Sequence, residues 1–174
     1  MVFYSIQLYM IYLFTGQPHS GKTTLAKWLR KAILESNPSK EVFHVDGDDL
    51  RRINKNQDYS ESGRRINIGQ GFAIAKYLDE YARYDVILSM VSPYKDMRDE
   101  LKQHAEVVEI YVHTTDIRGR ENFHVENYQP PTTDFIDVDT TNVSEFETIS
   151  ELLKNIEEYL KNKQQQKNEN KRKF

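Results

Sequence analysis

One α/β domain, with a mostly parallel sheet covered by helices on both faces, is the fold class the sequence predicts. Three observations carry that prediction. Apolar runs of strand length ("YMIYLFT", "DVILSMV", "VVEIYVH") are continuous rather than alternating, as strands buried on both faces require. Segments with helical periodicity separate them, which is the βαβ pattern. The chain has 174 residues, with no internal repeat and no interdomain linker, and that length suits one core.

The elements follow in order. "YMIYLFT" (9–15) is a strand, and "KTTLAKWLRKAILES" (22–36) a helix placing Leu25, Trp28, Leu29, Ala32 and Ile33 on one face. "NPSK" (37–40) breaks it, and "EVFHVD" (41–46) is a second strand. A polar stretch, 47–63, leads to a helix over 64–84 with Ile68, Phe72, Ala75 and Leu78 inward despite Gly69 and Gly71. "DVILSMV" (85–91) suits a central strand, and "SPYKDMRDELKQHA" (92–105) a helix opened by proline. "VVEIYVH" (107–113) and the short "FIDVD" (135–139) are strands around a polar connection. The closing helix spans 142–162, with Ser144 and Glu147 spaced as a capping box.

Composition narrows the function classes. No cysteine is present, which excludes a disulfide framework and a thiolate zinc site and suits a reducing cytoplasm. The formal charge of −3 offers no electrostatic case for obligatory nucleic-acid binding. The charge is uneven: residues 161–174 carry +5, leaving −8 on 1–160. The expected division is therefore a domain over 1–160 and a solvated, disordered basic tail over 161–174. The apolar N-terminus is short for a membrane span and lacks a basic leader, and Met10 offers a second start that would make residues 1–9 an extension.

The chemistry begins at "GQPHSGKTT", Gly16–Thr24. Gly16, Gly21, Lys22 and Thr23 satisfy G-x-x-x-x-G-K-[ST] in the context that gives it meaning, after a strand and opening a helix. Glycines let backbone N–H groups turn toward phosphate oxygens, and the helix N-terminus adds its positive end. Lys22 is placed to reach the β- and γ-phosphates and the Thr23 hydroxyl to ligate Mg²⁺, with Pro18, His19, Ser20 and Thr24 completing the loop. The expected architecture is thus a single P-loop NTPase-type three-layer domain that binds ATP with Mg²⁺. No guanine-reading "NKxD" occurs, which leaves a small-molecule or nucleoside kinase ahead of a GTPase.

"HVDGDDLRR" (44–52) ends the second strand with Asp46 and Asp48. Parallel sheets bind ligands beyond the carboxyl ends of their strands, so both carboxylates should face the loop. Beside Mg²⁺·ATP, one of them, Asp46 or Asp48, can accept a hydroxyl proton while the other serves the metal.

Taken together, "GQPHSGKTTLAKWL", "VDGDDLRR", "YSESGRRIN", "SPYKDMR" and "FHVENYQPP" resemble, in order and spacing, the adenylylsulfate (APS) kinases over roughly residues 10 to 160. The resemblance implies ATP-dependent phosphorylation of the 3′-hydroxyl of adenosine 5′-phosphosulfate, a step of sulfate assimilation. It implies Asp46 and Asp48 for metal and base, with Lys22 catalytic. It places Asp48, Arg51, Arg64, Asn67, Ser92 and Pro93 on the acceptor, and Tyr59 and Phe123 as the two aromatics around adenine. Arginine forks suit phosphate and sulfate oxygens, and aromatic faces suit a base. The family's "NIRR" is "NIGQ" (67–70) here, and "TTDIRGRENF" (114–123) is too short for the family's segment before the second aromatic. Arg118 and Arg120 in that short lid carry charge suited to phosphates. The relatives often dimerise, which makes a homodimer an expectation. Two alternatives stay open: a P-loop kinase for another hydroxyl (a nucleoside, a modified DNA base, a polynucleotide end), and a nucleotide-binding module without turnover. The remaining histidines, His44, His104, His113 and His124, show no metal-ligand spacing.

Overall fold

In the computed structural model the described residues are 9–172 except 117 and 120. Expectations that fall on residues 1–8, Arg120 and 173–174 therefore lie outside the described residues. Five parallel strands form one sheet in the order β2-β3-β1-β4-β5. They are β1 (Ile11–Thr15), β2 (Val42–Asp46), β3 (Asp85–Ser89), β4 (Val107–His113) and β5 (Ile136–Asp139). Around them lie α1 (Lys22–Ser36), α2 (Gly47–Ile53), α3 (Glu61–Tyr77), α4 (Lys95–His104) and α5 (Glu145–Arg172).

Alternation along β1 divides the core. Tyr12 and Phe14 pack with Leu25, Leu29 and Ile33 of α1 and Leu152 and Ile156 of α5. Ile11 and Leu13 pack with Ile68, Phe72 and Ala75 of α3 and Leu101 of α4. The continuous apolar runs are thus buried on both faces, as their composition predicts. Strand order reverses at β1, whose neighbours β3 and β4 lie on opposite sides, and such a switch point opens a crevice at the carboxyl ends of the strands. Among the described residues, no helix is long and apolar enough to cross a membrane.

Several boundaries differ from the sequence expectation. The polar stretch after Asp46 is helical because the Asp46 side chain accepts the Asp48 N–H at 2.9 Å, an N-cap that starts α2. The helix expected over 64–84 starts earlier, capped by Ser60, and ends as a π turn over Leu78–Ala82. Trp28 is 38% exposed rather than inward, its indole N–H donating to Glu145, and Ala26 takes the buried position. The capping box forms, with Ser144 and Glu147 exchanging hydrogen bonds. The closing helix then continues through Arg172, past the tail boundary expected at 161. Lys163 and Lys167 on this extension pair with Asp134 and Glu106.

A buried ion cluster fixes α4 to the sheet and to the rim of the crevice. Arg98, 1% exposed, donates to Glu109 of β4 and to the carbonyls of Ser92 and Gln129, each at 2.6 Å. Lys102 pairs with the other Glu109 oxygen. Such a cluster is tolerable only while every charge is met. Replacing Arg98 with Met removes three hydrogen bonds at once. Chemical denaturation should show a loss of about 3–5 kcal/mol.

Candidate active site

The loop between β1 and α1 turns sharply, and its geometry explains its glycines. Gly16 has φ +146°, and a Cβ there would meet the Val112 carbonyl oxygen at 2.0 Å. Gly21 and His19 also lie at positive φ, and α1 begins at once with Lys22. The loop thus bends around its centre and ends on a helix N-terminus, which is the arrangement that binds phosphate.

Lys22 crosses this loop. Its Nζ donates to the Gln17 carbonyl at 2.6 Å and contacts Ser20 Oγ at 3.4 Å. Burial lowers its pKa to about 8, against the opposing pull of Asp48 and Asp46. An ammonium held in this state without an anion is destabilising, and a phosphate would relieve it.

Asp46 joins four elements. One oxygen, Oδ2, accepts from Thr23 Oγ1 of α1 at 2.8 Å and from Ser89 Oγ of β3 at 2.6 Å. Its other oxygen accepts the Asp48 N–H of α2. Burial acts to raise the pKa of Asp46, but the bonds from Ser89, Thr23 and the Asp48 backbone outweigh it and hold the group ionised. Asp48, one helical step on, is exposed at the crevice.

The far wall is basic and aromatic. Tyr59, 56% exposed, lies under the Arg51 guanidinium at 4.4 Å and that of Arg64 at 5.6 Å. Arg51 is steadied by the Asp58 carbonyl at 2.8 Å, and Arg64 by the Tyr59 carbonyl at 2.9 Å. Burial, helped by Arg64 and opposed by Tyr59, Asp48 and Asp58, lowers the Arg51 pKa from its ordinary value. Asn67 donates to the Gly47 carbonyl at 3.1 Å. Among the described residues, its Oδ1 and the Oγ of Ser92 are buried without a hydrogen-bond partner. Ser92 sits at φ 41°, pinned through its carbonyl by Thr15 and Arg98.

One cavity of about 550 Å³ joins these walls. Pro18, His19, Gly21, Lys22, Thr23 and Thr24 line one end; Asp46, Asp48, Arg51, Tyr59, Arg64, Asn67, Ser92, Pro93, Arg118 and Phe123 complete it. Of the sequence-predicted site residues, only Gly16 and Ser20 lie behind the lining, where they shape the loop. Arg118 bonds Asp116 at 2.9 Å, the Thr140 carbonyl at 2.8 Å and the His19 carbonyl at 3.2 Å, and so sits against the loop. Sequence reasoning missed Gly47, Ile68, Ser89, Met90 and Val91. Ser89, Met90 and Val91 follow from their place at the carboxyl end of β3; Gly47 and Ile68 depend on how α2 and α3 pack. Among the described residues, no cluster of His, Cys, Asp or Glu forms a dedicated metal site.

Fold and cavity together define a P-loop kinase-type domain. The comparisons with known proteins narrow the class. The adenylylsulphate kinase family model matches residues 8–123, and the chain belongs to that family. An adenylyl-sulfate kinase of Staphylococcus haemolyticus is 29% identical over 173 residues, covering 87% of this chain and 83% of the relative. One from Staphylococcus carnosus is 33% identical over 102 residues, which span 56% of this chain and half of the relative. In three dimensions, a Mycobacterium tuberculosis APS kinase in complex with AMPPNP and APS superimposes with a TM-score of 0.71 at 21% identity, covering 86% of this chain and 98% of that one.

The cost of holding Lys22 charged yields a prediction for the ligand-free protein. A pKa of about 8 in the fold, against 10.5 unperturbed, costs about 3 kcal/mol at pH 7. The unfolded chain binds more protons between pH 8 and 10.5, so the contribution of Lys22 to stability rises with pH across that window. Lys22→Met should therefore melt no lower than wild type near pH 7 without nucleotide, while losing ATP turnover. Its advantage should shrink as pH approaches 10, as thermal unfolding across pH would show.

Proposed function

We propose that this chain transfers the γ-phosphoryl group of Mg²⁺·ATP to the 3′-hydroxyl of adenosine 5′-phosphosulfate. The single observation that carries the reading is the continuity of the cavity: the phosphate loop, Asp46 and Asp48, Arg51 and Arg64, and Tyr59 and Phe123 all line it. Membership of the adenylylsulphate kinase family and the fold shared with an APS kinase holding AMPPNP and APS support it.

The roles follow from chemistry and position. Backbone N–H groups of Pro18–Thr23, other than that of proline, and the Lys22 ammonium stabilise charge on the transferring phosphoryl group. The oxygen-only donor set of Thr23 and Asp46 fits a hard cation that keeps most of its waters, and Mg²⁺ there would neutralise charge on the β- and γ-phosphates. Thr23 donates its one proton to Asp46, which leaves its oxygen lone pairs for the ion. Asp46 already accepts three hydrogen bonds, whereas Asp48 is exposed at the cavity, so Asp48 is the better general base for the acceptor hydroxyl. Arg51 and Arg64 meet the acceptor's phosphate and sulfate oxygens. Tyr59 and Phe123, both largely exposed, offer faces to adenine. The unpartnered Asn67 Oδ1 and Ser92 Oγ await hydrogen bonds from a ligand.

The test is ADP release from Mg²⁺·ATP with and without APS. APS-dependent turnover, absent from Lys22→Met, is the expected result; ATP binding with no response to APS would overturn the assignment and move the search to other hydroxyl acceptors. Asp48→Asn should lower kcat by roughly 10²–10⁴-fold, with nucleotide affinity measured by calorimetry unchanged.

A further inference from the structure

We propose that His44 is a positioning residue for this site: acting through the Ser89 hydroxyl, it holds the Asp46 carboxylate, and with it the Thr23 hydroxyl, in a single orientation. The inference rests on the phosphoryl-transfer reading above and extends it by one residue for which the family motifs provide no role.

The placement comes from strand geometry. His44 and Asp46 are two residues apart on β2 and share a face, and the β2–β3 register sets Asp46 opposite Ser89. That face is the one toward α1, where Val42 and Ile87 pack into the core with Leu25 and Leu29. An imidazole at such a position carries a desolvation cost, and burial does lower the His44 pKa. A hydrogen bond offsets the cost: His44 Nε2 lies 2.7 Å from Ser89 Oγ, which lies 2.6 Å from Asp46 Oδ2.

Donor counting gives the chain a direction. An ionised carboxylate only accepts, so Ser89 must give its single proton to Asp46. Ser89 Oγ is then an acceptor toward His44, and His44 must be the Nε2–H tautomer. Thr23 donates to the same Asp46 oxygen from the other side at 2.8 Å. The four groups therefore form one directed array, His44 to Ser89 to Asp46, with Thr23 converging. Without His44 the Ser89 hydroxyl, 3% exposed, keeps its bond to Asp46 but loses the second partner that fixes its direction. The Ser89 bond then holds the Asp46 plane less firmly relative to Thr23, and the Thr23 lone-pair direction is less fixed. His44 is half-buried and lines a second, shallow cavity with Lys27 and Arg30, while Ser89, Asp46 and Thr23 line the main one.

Two measurements on the full chain test this. Long-range ¹H–¹⁵N spectra of the imidazoles, taken at pH 8 without nucleotide or divalent metal and assigned with His44→Gln, should show His44 as the Nε2–H tautomer. The Nδ1–H tautomer would overturn the proposal, because Ser89 would then have to donate to His44. In steady-state assays with APS, Ser89→Ala and His44→Leu should each lower kcat about tenfold, the worth of one hydrogen bond to a charged group, with the KM for APS unchanged. The double variant should be no slower than Ser89→Ala alone, and His44→Gln, which keeps an N–H donor, should recover most of the rate. Multiplicative losses in the double variant, or wild-type kcat in His44→Leu, would overturn it. If wild type shows no APS-dependent turnover, the phosphoryl-transfer reading fails, and the tautomer measurement decides the hydrogen-bond array independently.

Discussion

The Asp46 carboxylate is the constraint on which the site depends. Three donors from three segments converge on its two oxygens: Thr23 at the start of α1, Ser89 at the end of β3, and the backbone of Asp48 at the start of α2. Each bond serves the fold as well as the site. The Asp48 bond caps α2, the Ser89 bond ties the ends of two paired strands, and the Thr23 bond fixes the first turn of the helix that ends the phosphate loop. A carboxylate in this position stays ionised because its hydrogen bonds outweigh its burial. Moving it would displace three elements at once, which is how a short side chain sets the geometry of a cavity assembled from distant parts of the chain.

Around that anchor the protein holds several unfavourable features in place. Among the described residues, Lys22 is charged and buried without a counter-ion in contact, Arg51 and Arg64 repel one another across Tyr59, and Asn67 and Ser92 each present a buried polar atom with no partner. His19 and Ser92 stand at positive φ, where non-glycine residues are uncommon. These features cluster along one cavity, and an anionic ligand with hydrogen-bonding groups would offset the unpaired charge and meet the unpartnered polar atoms. The rest of the fold supplies the offsetting stability through two well-packed apolar cores and the closed Arg98–Glu109–Lys102 cluster. That cluster also serves the site, because Arg98 grips the carbonyl of Ser92 from behind the cavity wall.

The short connection between β4 and β5 shows where the chain departs from the family's sequence pattern and what the structure does instead. Arg118 is fastened to the phosphate loop through the His19 carbonyl and to the end of β5 through the Thr140 carbonyl. Gln17 exchanges two hydrogen bonds, both 2.9 Å, with the backbone of Val125. Tyr128 reaches Thr15 at the end of β1 at 2.7 Å. The loop, the connection and β1 are thus bonded to one another directly.

Much was legible in the sequence because its signals are local. Continuous apolar runs identify strands buried on both faces; Gly16, Gly21, Lys22 and Thr23 form a loop whose function lies in its own backbone; and the order of strand and helix predicts the parallel sheet. Family motifs placed Asp46, Asp48, Arg51, Tyr59, Arg64, Asn67 and Phe123, and all of them line one cavity. What only the tertiary structure decided depends on register and packing. Trp28 fits the helical period but turns outward, its indole N–H donating to Glu145, while Ala26 takes the buried position. The stretch after Asp46 looked like loop because its helix is started by a side-chain cap rather than by periodicity. Ser89 and His44 carried no motif at all; their role exists only because a one-residue choice of register between β2 and β3 sets Asp46 opposite Ser89. A sequence states which groups a chain has and their local spacing, and the pairing of strands far apart in the chain decides which of those groups meet.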